Sequence, residues 1–301
     1  MQPKRSDRLM LPSLGIVLGG ALWGLVWLPL RALGELGLHG AWPGAMIYAG
    51  SALCLLPLLV MRHRQLARQW RTLTLCGLTA GAAFSLYSTS LLLTEVVRAV
   101  LLFYLTPVWG TLLGIAVLDE RLGASRLLGL VLGVAGLMVV LGIGVHLPWP
   151  ANLGDWLALA SGLLWALASL FLYRSENIAV PDQVISFTLG SLAVTLVSIA
   201  VGGAAFGGAV ALGKLAEVLP WGMLAALHLL PMLVLTIWPA MLLTPGRVGL
   251  LLMSDVIVGV ASAALWAGEP FGLREIAGTL LNVAAAVIEV LGQPVEPAAG
   301  T

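Results

Sequence analysis

The sequence predicts an all-α integral membrane protein of ten transmembrane helices, built as two inverted five-helix repeats. Three observations carry this: the composition, the length of the apolar runs, and an echo between the two halves. Of 301 residues, 60% are hydrophobic and 10% charged, and the mean hydropathy is +1.02. A soluble domain carries roughly a quarter charged residues and must wet its outside, which this chain cannot do. The same numbers exclude disorder. Basic and acidic residues number 15 and 14, so no nucleic-acid partner is expected. Apolar runs such as 14–30 and 127–143 are continuous, about twice the ~10-residue alternating strand of a membrane barrel. Their backbone groups must therefore pair within helices. Ten helices of ~20 residues leave no room for a soluble domain.

Breaks in the apolar runs place the helices. Helix 1 covers 11–33. Lys4, Arg5 and Arg8 precede it as in a signal peptide, but the run is longer than a signal core and lacks a clear cleavage site. It is read as an uncleaved span. Helices 2 and 3 cover 41–61 and 71–93. A very short turn leads to helix 4 at 96–118, and helix 5 is 125–145. The second half supplies helix 6 at 154–173, helix 7 at 183–204, helix 8 at 219–242, helix 9 at 247–267 and helix 10 at 272–292. This gives repeats over 1–146 and 154–293, an outer linker at 147–153 and a short tail at 294–301.

Charge tests the count. With both termini cytoplasmic, the inner segments hold Lys4, Arg5, Arg8, Arg62, Arg64, Arg68, Arg71, Arg121, Arg126, Arg174 and Arg247. The outer ones hold Arg31, Arg98, Lys214 and Arg274. That is the positive-inside pattern, and a wrong count would blur it. Trp42, Trp70, Trp149, Trp156 and Trp221 fall at span boundaries, as an interfacial belt requires. Cys54 and Cys76 fall within spans, form no metal or disulfide pattern, and read as small packing residues.

A shift of 149 residues brings Arg98 onto Arg247, Gly110 onto Gly259, Glu120 onto Glu269, Gly123 onto Gly272 and Gly129 onto Gly278. GGALWG at 19–24 also echoes SGLLWA at 161–166, pairing Trp23 with Trp165. Five helices per repeat is odd, so the second copy enters the membrane from the opposite side. Inverted repeats are an architecture of secondary transporters, with the substrate near mid-depth between the halves.

The segment 105–136, LTPVWGTLLGIAVLDERLGASRLLGLVLGVAG, resembles the signature of the EamA type within the drug/metabolite transporter superfamily. That signature has a proline in mid-helix 4 (Pro107), Glu-Arg at its end (Glu120, Arg121) and a glycine opening helix 5. LWG at 22–24 resembles the family's helix 1 motif. In the second copy, GEPFG at 268–272 keeps the Glu and Gly but has Pro270 where the first has Arg121. Length and abundant tryptophan look most like the YddG-type aromatic amino-acid exporters. The resemblance implies ten helices around a central cavity, with helices 5 and 10 peripheral, and export as the direction.

Few groups within the spans carry chemistry. Asp255, beside Ser254, lies about eight residues into helix 9 and can read a substrate amine or a proton, or be a carboxylate satisfied by a neighbouring helix. His228 can titrate, hydrogen-bond a substrate, or pack. Glu289 can snorkel from the end of helix 10, and Asn282 suits a bond between helices. FSLYSTS at 84–90, with Tyr87 and Ser88, offers either a wet wall or hydroxyls folded back on the preceding turn. Trp23, Trp109 and Trp165, with Phe103 and Tyr104, are mid-depth aromatics whose polar edges favour an interior site over lipid. They suit aromatic side chains by stacking or organic cations by cation–π attraction. Pro107, Pro231 and Pro239 should interrupt their helices and free the carbonyls of Phe103, Leu227 and Leu235. Pro107 and Pro231 are the candidate hinges. Gly77/Gly81 and Gly129/Gly133 mark close helix packing.

The expectation is a bacterial-type inner-membrane transporter of small organic metabolites, most suited to amino acids with aromatic preference. Export of cationic drugs is the alternative. A passive channel would need polar rings, and a membrane-embedded enzyme clustered ligands or catalytic groups at one depth; neither pattern is visible. No Gly-Lys phosphate motif points to ATP, and no cofactor or metal is expected.

Overall fold

A computed structural model of the chain describes residues 5–118, 124–141, 150–174, 178–242, 251–252, 254–268 and 272–291. The described elements are all helical. Helix α1 (Arg5–Gly24) leads into α2 (Trp27–Glu35), α3 (Trp42–Arg68) and α4 (Trp70–Leu93). Then come α5 (Val96–Phe103), α6 (Thr106–Leu118) and α7 (Ala124–Leu141). The second half holds α8 (Leu153–Arg174), α9 (Val180–Gly202), α10 (Leu212–Ala240), α11 (Ser254–Ser262) and α12 (Leu273–Leu291). Among the described residues, six stretches are long and apolar enough to cross a bilayer: Met10–Glu35, Trp42–Arg68, Trp70–Leu93, Leu153–Leu172, Val180–Phe206 and Leu212–Ala240. This is the make-up of a multi-pass membrane protein. Predicted helices 4, 5, 9 and 10 correspond to α5 with α6, α7, α11 and α12, and parts of helices 5, 9 and 10 lie outside the described residues.

Among the described residues, two of the predicted helices are broken. Helix 1 divides at Leu25–Val26, where amides turn back three residues: Leu25 to the Leu22 carbonyl, Val26 to Trp23 and Leu28 to Leu25. Pro29 explains the position, because it lacks the N–H that Leu25 would accept and its ring crowds that carbonyl. The sequence reading had not marked Pro29. Helix 4 divides at Tyr104–Leu105, just ahead of Pro107, which has no N–H to give the Phe103 carbonyl. The expectation for Pro231 is corrected. Helix α10 runs unbroken through Pro220 and Pro231 and ends beside Pro239, because the turns on either side of a lost bond still hold. Helix α11 ends in a π-turn over Ala263–Ala267.

Packing crosses the halves. Helix α1 lies against α10 and α11, while α8 lies against α4, α5 and α6. Helix α3 packs on α10 and α9, α4 on α9, and α7 on α12. Small residues set the close approaches. A Cβ at Gly50 would strike the Gly222 backbone, one at Gly81 the backbone of Gly190 and Ser191, and one at Gly24 the Gly259 amide. Gly40 and Gly207, both with positive φ, press backbone to backbone where the loop before α3 meets the turn after α9. The Trp42 indole closes that contact on the Gly208 carbonyl at 2.9 Å. Leucines and tryptophans such as Leu56, Leu196, Trp156 and Trp221 are exposed, which in this composition is a lipid-facing surface.

Candidate functional site

The break in helix 4 brings Tyr104 against the second half. Its hydroxyl lies 2.9 Å from the Leu252 carbonyl oxygen and 3.0 Å from Asp255 Oδ2. Asp255, in the first turn of α11, is 2% exposed. Its other oxygen, Oδ1, has no hydrogen-bond partner among the described residues. A buried carboxylate oxygen without a donor is costly, so this one is an open acceptor.

A chain of rings leads from it. Phe103 stands edge-on to Tyr104 at 5.4 Å and meets Tyr87 at 4.7 Å. Tyr87 stands edge-on to Trp23 at 6.2 Å, and Trp23 contacts Phe84 at 4.7 Å. Phe84 stacks on Trp165 at 5.2 Å and meets Phe187 edge-on at 5.8 Å. Three helices of the first half (α1, α4 and α5, with Tyr104 at the α5–α6 break) and two of the second, with α11 holding the carboxylate, therefore meet in one aromatic cluster. Each such ring pair adds about 0.5–1.5 kcal/mol beyond burial, so the cluster also cements the bundle. The Trp23 indole donates to Thr236 at 3.1 Å.

Several predicted site residues turn their polar atoms to backbone instead. His228 donates through Nε2 to the Leu22 carbonyl at 2.9 Å. The Ser254 hydroxyl donates to the Val17 carbonyl at 2.8 Å. Ser88 and Tyr48 both donate to the Phe84 carbonyl, at 2.7 and 3.0 Å, and lie 2.5 Å from each other. Thr89 and Ser90 likewise fold back on the preceding turn. At the α1–α2 break, His228 covers the Leu22 carbonyl and Ser262 the Gly24 carbonyl at 3.4 Å, with the Trp27 indole on Ser262 at 3.0 Å. At the α5–α6 break the Phe103 carbonyl is taken by the Thr106 hydroxyl at 2.6 Å. The structure thus gathers Trp23, Tyr87, Tyr104, Trp165 and Asp255. It commits Ser88, His228 and Ser254 to holding helices, and leaves Trp109 outside the ring contacts with its buried indole N–H unpartnered among the described residues.

Two ion pairs between the halves, among the described residues, were missed. Asp155, fully buried at the start of α8, takes Arg98 at 2.6 Å, Thr94 at 2.7 Å and the Ala151 amide at 2.9 Å. Asp182, at the start of α9, takes Arg62 through both oxygens at 2.5 and 2.8 Å. They lie at opposite ends of the bundle, since α4, with 24 residues, runs about 36 Å between those levels. Both join a first-half helix to a second-half helix. Proximity to span boundaries made the arginines read as interfacial, and nothing in the sequence paired them. Phe187 and Thr236 also carried no signal of their own.

No curated protein sequence matches the chain. At 19% identity, a solved crystal structure matches over 95% of this chain and 97% of its own, with a TM-score of 0.62, a likeness of fold. Residues 10–142, spanning α1 to α7, match the model of the EamA-like transporter family.

Proposed function

We propose that the chain is an inner-membrane transporter of small organic metabolites that works by alternating access between two inverted five-helix repeats, over 1–146 and 154–293. The observation that carries it is the open oxygen of buried Asp255 at the end of an aromatic cluster to which both halves contribute. The match to a transporter family supports the class. Packing supports the repeat, because contacts recur with the halves exchanged: α1 on α10 and α11 answers α8 on α4, α5 and α6. Under the shift of 149, Asp255 is also the counterpart of Thr106, two residues after Tyr104. The substrate we favour is an amino acid with an aromatic side chain, its ring among Trp23, Phe84 and Trp165 and its amine at Asp255. Export is the direction suggested by resemblance.

A second reading is favoured by one observation: Asp255 has no basic partner among the described residues. A lone carboxylate among rings suits an organic cation as well as an amino acid. Uptake by liposomes carrying the purified protein separates the two, using labelled Phe, Trp, Thr and methyl viologen with and without a proton gradient. Phe and Trp moving faster than Thr supports the first reading. Methyl viologen alone moving supports the second, and movement of none of them refutes both.

A further inference from the structure

We propose that the elbow between α3 and α4 is a binding site for an anionic glycerophospholipid. The two helices are separated only by Gln69 and then part company, α3 toward α10 and α9, α4 toward α8 and α9. Their junction holds a crevice of about 380 Å³ lined by Arg68, Gln69, Trp70, Arg71 and Thr72. Arg64 stands one turn above Arg68 on α3. Arg62 is neutralised by Asp182, but Arg64, Arg68 and Arg71 have no carboxylate partner among the described residues. Arg71 instead lies over the Trp70 ring at 5.5 Å. Like charges crowded at this spacing repel, and no acid among the described residues pairs with them. By contrast Arg98 and Lys214 are each paired with an acid.

The surroundings identify the anion as a lipid. Trp70 is 58% exposed at the crevice rim, where an indole anchors at a membrane interface. Leu53, Leu56, Val60 and Met61 on α3, with Leu75 and Leu78 on α4, are all exposed and carry the apolar surface on from the elbow. A phosphodiester between the guanidiniums would lay its acyl chains along those two faces. A free phosphate or an acidic protein segment would leave them bare. Basic pockets between membrane helices recognise head groups in this way.

The test uses the full-length protein in neutral detergent. Native mass spectrometry counts bound lipid and thermal unfolding reads its effect, with dioleoyl phosphatidylglycerol, dioleoyl phosphatidylcholine, inorganic phosphate and a polyglutamate peptide as separate arms. Phosphatidylglycerol alone should bind and raise the unfolding midpoint. Arg68→Gln and Arg71→Gln should each weaken it about fivefold, the worth of one basic residue beside an anionic surface. Lys214→Gln, which removes the same charge elsewhere, should leave binding intact. The single variants are read separately, each with its lipid-free unfolding midpoint as a control for folding. Equal binding of the two lipids, binding of phosphate or polyglutamate as tight as phosphatidylglycerol, or full binding by both arginine variants would overturn the proposal.

Discussion

At the scale of the residue, the proposed transport function gives Asp255 and its ring neighbours separate parts in recognition. On that reading Oδ1 accepts from an ammonium group, while the half-buried Trp165, stacked on Phe84, presents ring surface. Asp255→Asn keeps the shape and removes the charge, so transport of every amine-bearing substrate should fall at least tenfold; unchanged flux across pH would make the carboxylate structural. Trp165→Ala removes stacking while leaving Asp255 in place. Phe and Trp flux should fall severalfold more than Thr flux, and equal losses would end the aromatic-wall idea. The sequence revealed this group because large aromatics and a lone acid stand out inside apolar runs. It could not sort Trp23, Tyr87, Tyr104 and Trp165 from His228, Ser254 and Ser88. The latter serve backbone carbonyls, and which carbonyls need a donor depends on where a helix breaks.

At the scale of the element, the two breaks are the features most open to test. Pro107→Ala restores an N–H for the Phe103 carbonyl, now served by Thr106. Pro29→Ala does the same for Leu25 and lets α1 and α2 fuse. Both variants should insert normally, and transport should fall in both; unchanged kinetics at matched expression would reduce the prolines to tolerated packing. Gly81→Leu is the contrasting case. Its side chain would meet the backbone of Gly190 and Ser191, so folded yield in detergent, rather than transport, should collapse. Helix positions were legible from the apolar runs, since lipid leaves a segment no other way to pair its backbone. Breaks were less so, because proline acts on the carbonyl upstream and shifts the bend ahead of its own position. Helix α10 begins at Leu212, before the predicted 219, since the Lys214–Glu217 pair rides on one helix face where charge alone suggested a loop.

At the scale of the whole molecule, the proposed ten-span topology places both termini in the cytoplasm. Cysteines introduced at His146, Gly213 and Glu269 should then label from outside, and labelling of Gly213 only from inside would sink it. The cross-half pairs Arg98–Asp155 and Arg62–Asp182 bear on how such a bundle moves. Their partners are 57 and 120 residues apart, which is why no local pattern could show them. Each pair is buried at its aspartate and partly exposed at its arginine, so losing a partner costs less than the about 3–5 kcal/mol of a fully buried pair. If one end opens at a time, each opening gives up one clasp and retains the other. The protein is then a scale with similar weights in its two pans, and only a small difference between them decides which way it rests. Asp155→Asn lightens one pan. Because ~1.4 kcal/mol already changes a ratio of populations tenfold, such a variant should be found almost wholly in one posture, binding its cargo yet slow to deliver it.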